Sequence, residues 1–227
     1  KRVYSKIIRR VLIEDEVDSE AKNYDLVKWT SVFNRSRCMT AFTYLLCPDH
    51  RCNAKYLIHA LKNLKDLKEI SYDLYFDVDT EDHEFYSDNS VGKWLTTSLR
   101  ALKYWRKLRG LDIVFSYYDG QTSEDFLRAF ESIFRVKGLE KLSLDLSFFD
   151  TESFSILLNQ ITRSLSKLPE LKHFYIDGPC SGMGEERKSY LELYKKISSL
   201  GIFKTLNIDG DPFEINTAEM IRMLKNN

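Results

Sequence analysis

The feature that most constrains this chain is an internal repeat. The pattern apolar-x-x-apolar-x-apolar occurs as Leu139-x-x-Leu142-x-Leu144, Leu171-x-x-Phe174-x-Ile176 and Phe203-x-x-Leu206-x-Ile208. It recurs earlier as Leu108-x-x-Leu111-x-Ile113 and Leu67-x-x-Ile70-x-Tyr72, and in weaker form as Met39-x-x-Phe42-x-Tyr44 and Ile8-x-x-Val11-x-Ile13. The central apolar residue falls at 11, 42, 70, 111, 142, 174 and 206, so the unit is about 30 residues long. One such unit cannot bury its own apolar face, and stacked neighbours make a continuous core.

The residues before each pattern carry a second signal. Leu61, Leu64 and Leu67 run at spacing three, as do Leu102, Trp105 and Leu108, then Leu165, Leu168 and Leu171, then Ile197, Leu200 and Phe203. Each set leads out of a helix and into a strand. The pattern predicts strands near 8–13, 41–45, 69–75, 111–116, 141–146, 172–177 and 204–208. It predicts helices near 21–34, 52–64, 91–105, 123–135, 151–166, 185–199 and 217–225. Turns with Asp, Gly or Pro separate the units, and Thr122, Ser123, Asp150 and Thr217 stand where helix N-caps belong.

With 227 residues and 43% hydrophobic content, the chain can bury a core without disulfide staples. Lys plus Arg and Asp plus Glu are each 34, a net charge of zero, which argues against a generally basic nucleic-acid binder. No apolar run approaches the length of a membrane span. No charged-then-apolar leader opens the sequence, and four cysteines are too few for a disulfide scaffold. These point to an intracellular, cytoplasmic protein.

On the repeat, the chain resembles leucine-rich-repeat proteins of the ribonuclease-inhibitor-like class. The resemblance covers nearly the whole chain and implies a single domain over 1–227, of about six to seven repeats. It implies an α/β leucine-rich-repeat solenoid, with a parallel β-sheet on the concave face and α-helices on the convex face. One departure stands out. The family places Asn or Cys three residues after the last apolar position. Here those positions are Glu16, Cys47, Tyr75, Ser116, Ser147, Pro179 and Asp211, and Cys47 alone matches.

Period-two alternation sends the residues between the apolar positions to the concave face. That face is expected to carry Glu69, Asp73, Asp112, Asp145, Asp177 and Asp209 as an acidic stripe, with His173, Tyr175 and Asn207 beside it. Neighbouring parallel strands lie about 4.8 Å apart, so such carboxylates repel and a basic partner relieves them. Asp177 and Asp209 each precede Gly, and turn formation is their competing role.

Other clusters are weaker. Cys38, Cys47, His50 and Cys52 supply donors for a tetrahedral zinc site but lack knuckle spacing, and burial of small residues competes. Asp77, Asp79, Glu81, Asp82, His83 and Glu84 fall in an inserted loop that lacks the Gly of a calcium loop. The glycine-rich run Gly178 to Gly184 lacks the Lys-Ser/Thr of a phosphate loop, and Glu185 and Glu186 follow it. His173, Tyr175, Asp145 and Asp177 are the residues an acid–base cluster would draw on. For Tyr117, Tyr118, Phe148 and Phe149, which follow the last strand position of their repeats, core packing and an exposed interface rim are the two readings. Arg100, Lys103, Arg106, Lys107 and Arg109 form a basic cluster at a helix end, where cations are favoured and where phosphate contact is the alternative.

The expectation is a non-catalytic protein–protein interaction module without a cofactor, an adaptor or scaffold subunit of a hetero-complex, docking a basic partner segment on the acidic face. Nucleic acid is the lesser partner class, and no membrane is involved. The alternatives are a structural or RNA-contacting subunit of a large ribonucleoprotein or cytoskeletal complex, or a substrate-recognition adaptor of a ubiquitin ligase.

Overall fold

The computed structural model describes residues 10–14, 41–46, 62, 64–74, 90–115, 124–147, 149–179, 185–201 and 204–209. Seven strands form one parallel sheet in chain order. They are β1 (Arg10–Glu14), β2 (Ala41–Leu46), β3 (Glu69–Leu74), β4 (Gly110–Phe115), β5 (Lys141–Asp145), β6 (His173–Asp177) and β7 (Thr205–Asp209). Each lies within two residues of its sequence expectation. The register shows why. The central apolar residues Val11, Phe42, Ile70, Leu111, Leu142, Phe174 and Leu206 form one continuous row across the sheet. Ile13, Tyr44, Tyr72, Ile113, Leu144, Ile176 and Ile208 form a second.

Helices are described in the four crossovers from β3 to β7: α1 (Ser90–Ala101), α2 (Glu124–Phe130), α3 (Thr151–Ser164) and α4 (Glu185–Leu200). The helices expected near 21–34, 52–64 and 217–225 fall wholly or mostly outside the described residues. The unbroken helices expected over 91–105, 123–135 and 151–166 are corrected. α1, α2 and α3 tighten into 3-10 segments η1 (Leu102–Tyr104), η2 (Glu131–Arg135) and η3 (Leu165–Lys167). The apolar spacing of three explains this, because a 3-10 turn stacks residues i and i+3 on one side. Trp105 N donates to Leu102 O at 3.1 Å and Leu108 N to Trp105 O at 3.0 Å; Leu168 N and Leu171 N repeat the pattern at 3.0 and 3.2 Å. All six side chains are buried.

The apolar rows and the helices enclose one core. Leu111, Ile113, Leu142, Leu144, Phe174 and Ile176 meet Phe154, Leu157, Leu158 and Ile161 of α3 and Tyr190, Leu193, Tyr194 and Ile197 of α4. Each buried side chain of this size contributes about 1.5–3 kcal/mol. Phe115, Phe126 and Phe149 pack edge-on or tilted, with Phe115 and Phe149 centroids 5.5 Å apart. Phe149 is therefore core, while Tyr117, Tyr118 and Phe148 lie outside the described residues. Asp150 caps α3 by accepting from Ser153 N at 2.8 Å. Gly201 ends α4 at φ +62°, a left-handed conformation that side chains with a Cβ resist.

From β3 to β7, a forked hydrogen bond locks each unit to the next. Lys68 O accepts from Arg109 N and Gly110 N, and Arg109 O from Glu140 N and Lys141 N. Glu140 O does the same for Lys172 N and His173 N, and Lys172 O for Lys204 N and Thr205 N. Both carbonyl lone pairs are used at each of these four steps, at 2.7–3.1 Å.

The expected fold class is corrected. The leucine-rich-repeat solenoid gives way to a coarser description: an α/β fold, a parallel sheet with helical crossovers. Strands in chain order belong equally to a β/α barrel, so the topology does not select a solenoid. The turn position that marks the repeat family also behaves differently. Ser147 stands there, and its N–H and hydroxyl both donate to the Asp145 carboxylate, at 3.1 and 2.6 Å. On β4, β5 and β6 one face of the sheet is covered by the helices and the other is open.

Candidate functional site

Strand alternation gives the open face three rows. The first is Glu69, Gly110, Lys141, His173 and Thr205; the second Ser71, Asp112, Ser143, Tyr175 and Asn207; the third Asp73, Val114, Asp145, Asp177 and Asp209. On β4, β5 and β6 the apolar residues facing the helices are buried, and the open-face residues Asp112, Val114, Ser143, Asp145, Tyr175 and Asp177 are partly exposed. These residues sit on rigid strands, which fixes their spacing.

The expected acidic stripe is not one line. Glu69 lies in the first row, Asp112 in the second, and Asp73, Asp145, Asp177 and Asp209 in the third. Val114 separates Asp73 from the run Asp145–Asp177–Asp209. The side chains of Asp73 and Asp209 are outside the described residues. Asp112 accepts from the Ser71 hydroxyl at 3.1 Å. Asp145 shapes its own turn through Ser147, so the turn-forming role anticipated for Asp177 and Asp209 is seen at Asp145.

The face also holds a cation. Lys141 Nζ lies 5.7 Å from the centre of the Tyr175 ring, a cation–π contact. His173 Nδ1 is 3.2 Å from Thr205 Oγ1. His173 and Asp177 are four residues apart on one strand, about 13 Å along it. The acid–base grouping of His173 with Asp145 and Asp177 is therefore not assembled.

A second charged region lies on the helical side. A groove of about 600 Å³ is lined by Arg100, Lys103 and Arg106 from one repeat and by Arg128, Arg135 and Lys137 from the next. Two residues of the sequence's basic cluster are absent from it. Lys107 pairs with Asp66 at 2.5 Å, and that ammonium holds the Asp66 carboxyl below its usual range. Arg109 donates to Gly138 O at 3.1 Å and to Leu108 O at 3.3 Å, and its guanidinium faces Glu140 at 3.5 Å. A Cβ at Gly138 would fall on that guanidinium, so glycine permits the close approach. The sequence singled out Arg100, Lys103 and Arg106. It missed Arg128, Arg135 and Lys137, whose spacings of seven and two place them on the adjacent wall.

Cys38, Cys47, His50 and Cys52 lie outside the described residues, as do the acidic loop of 77–84 and Cys180. Among the described residues, no group of three or more His, Cys, Asp or Glu is placed to hold a metal ion. No helix among them is long and apolar enough to cross a membrane. In the glycine-rich run, Gly178 is buried against Phe154 and Tyr190.

No family model matches the chain, and no curated protein matches it. Among solved structures it is similar to the hyperthermostable endo-1,4-beta-D-mannanase from Thermotoga petrophila RKU-1, determined with maltose and glycerol. Identity is 10%, covering 87% of this chain and 71% of that one, with a TM-score of 0.29. A likeness of this size assigns no activity to the chain.

Proposed function

We propose that the chain is a non-catalytic protein–protein interaction module that docks a basic segment of a partner across the open face of its sheet. The observation that supports this reading is the alignment of Asp145, Asp177 and Asp209 on adjacent parallel strands, with Asp112 in the neighbouring row. Carboxylates spaced at about 4.8 Å favour a partner bearing Lys or Arg. Asp145 and Asp177 are partly buried, which reduces solvent screening of their charge. Tyr175, already carrying Lys141 on its ring, offers a flat surface to a cationic side chain. Such a segment is a peptide of a larger assembly, and the chain acts as its adaptor or scaffold.

The test is fluorescence anisotropy with labelled Lys/Arg-rich and Glu-rich peptides of equal length. The wild type is expected to bind the basic peptide, and rising salt to weaken it. The double variant Asp145→Asn, Asp177→Asn removes two charges, while the new amide at position 145 keeps an acceptor for Ser147. It is expected to lose roughly tenfold or more in affinity. Equal binding by wild type and variant, with folding verified by circular dichroism, removes the open face as the docking site.

A further inference from the structure

The groove on the helical side is a separate feature, and nothing in the docking reading uses it. Six cations surround it, against Glu131 as the acidic residue of its lining. Several are already engaged. Arg128 pairs with Glu124, and Lys103 lies 5.2 Å from the Tyr104 ring centre. Glu131 is 3.0 Å from Lys167, which lies outside the groove lining, and 3.7 Å from Arg135. Arg106 and Lys137 make no side-chain hydrogen bond or ion pair among the described residues.

Helix C-termini favour cations, and that accounts for Arg100 at the end of α1 and Arg128 at the end of α2. It does not account for Arg106 and Lys137, which lie beyond η1 and η2. The groove is also built on fixed walls. Trp105 and Leu102 line it and are fully buried, and Arg109 ties down the turn at Gly138. Like charges gathered around one concavity repel, and a polyanion relieves them.

The geometry points to a binding site for a compact polyphosphate in this groove, with Arg106 and Lys137 as its principal contacts and Arg100, Arg128 and Arg135 around them. Three features select compact over extended. The volume falls in the small-ligand range of roughly 300–1,000 Å³. The six cations come from two successive repeats, three from each, and not from one element. The aromatic residue of the lining, Trp105, is fully buried and offers no stacking platform for bases, which single-stranded nucleic acid sites use.

The probe is inorganic tripolyphosphate, titrated calorimetrically into the full chain, with monophosphate and a short single-stranded RNA as comparison arms. Saturable one-to-one binding is expected, weaker for monophosphate and falling with salt. Arg106→Glu and Lys137→Glu are each expected to weaken tripolyphosphate roughly tenfold or more. Lys107→Glu, outside the groove, is expected to leave it within about twofold. Arg106→Gln replaces the reversal if Arg106→Glu does not fold by circular dichroism. The proposal is overturned by absence of saturable binding below about 1 mM, or by equal losses at Lys107 and Arg106. It is also overturned if RNA binds more tightly than tripolyphosphate through Arg106 and Lys137, since that makes the groove part of a nucleic-acid track.

Discussion

The two edges of the sheet are made from the same repeat, yet they carry opposite charge. At the strand-start edge stand Lys68, Arg109, Lys141, Lys172 and Lys204, relieved by Glu69 and by Glu140, which pairs with Lys172 at 3.2 Å. At the strand-end edge stand Asp73, Asp145, Asp177, Asp209 and the helix cap Asp150. The chain as a whole has 34 cations and 34 anions among its Lys, Arg, Asp and Glu residues, so a net charge of zero conceals this separation. Chain direction explains part of it. Every strand runs the same way and each crossover helix returns, so helix C-termini gather at strand starts and N-termini at strand ends. Helix dipoles favour cations at the first edge and anions at the second. The excess beyond the dipoles, at Arg106 and Lys137 on one side and in the Asp145–Asp177–Asp209 row on the other, is the charge that the two proposed sites draw on.

The change that breaks both edges together is Trp105→Ala. Trp105 is fully buried, lines the basic groove and supplies the central member of the spacing-three triplet that feeds β4. Truncating a buried aromatic of this size costs about 3–5 kcal/mol. Urea unfolding is expected to show that loss, and both tripolyphosphate and basic-peptide binding should fall with it. A loss under about 1 kcal/mol means that the triplet does not carry the strand entry.

Gly138→Ala acts at the strand-start edge alone. Its new Cβ displaces the Arg109 guanidinium from Gly138 O and Leu108 O, and about 1–2 kcal/mol should be lost. A double-mutant cycle sharpens this. In the Arg109→Ala background the clash is gone, so Gly138→Ala should cost markedly less. Additive losses would show that the glycine matters for its backbone and not for the approach of Arg109. Basic-peptide binding at the other edge should be unchanged in either case.

Asp150→Ala acts at the strand-end edge. Loss of the N-cap on α3 should cost about 1 kcal/mol at neutral pH. Hydrogen bonds from the Ser153 side chain and backbone hold the Asp150 carboxyl below its usual range. A depressed folded-state pKa gives stability that is present above the ordinary aspartate range. That stability is lost as pH falls through the lowered value. The wild type should therefore lose this increment in the acid limb of a pH–stability profile. Asp150→Asn, which keeps an acceptor without the titration, should show a flatter limb. Identical acid limbs would assign the effect to other carboxylates.

These residues also show what could be read from the sequence. The strands were legible because the apolar rows Val11 to Leu206 and Ile13 to Ile208 are set by local spacing, which one repeat contains. Asp150 was legible as a cap for the same reason. The groove was not, because Arg128, Arg135 and Lys137 belong to the next repeat and meet Arg106 only after stacking. Lys107 and Arg109 looked like members of that group. Their removal depends on Asp66, 41 residues upstream, and on Gly138, 29 residues downstream. The acidic stripe was half-legible. Alternation put its members on one face and the repeat spacing put Val114 between Asp73 and Asp145, but only the fold shows that Asp145 spends its carboxylate on its own turn.

The smallest expected effect tests whether the basic groove is tuned by Glu131, the acidic residue of its lining. Lys167 holds the Glu131 carboxyl below its usual range and keeps it charged beside Arg135. Both partners are substantially exposed, so Glu131→Gln should cost under about 0.5 kcal/mol of stability. Removing that charge releases Arg135 and leaves the groove with cations alone among its ionisable lining residues. Tripolyphosphate affinity should then rise by about two- to fourfold, the scale of one screened charge at short range. The direction matters more than the size. A gain at Glu131 alongside losses at Arg106 and Lys137 is what electrostatic control of a phosphate site requires. A loss at all three would instead mean that Glu131 positions Arg135 for the ligand, with Lys167→Met then expected to reduce binding as well.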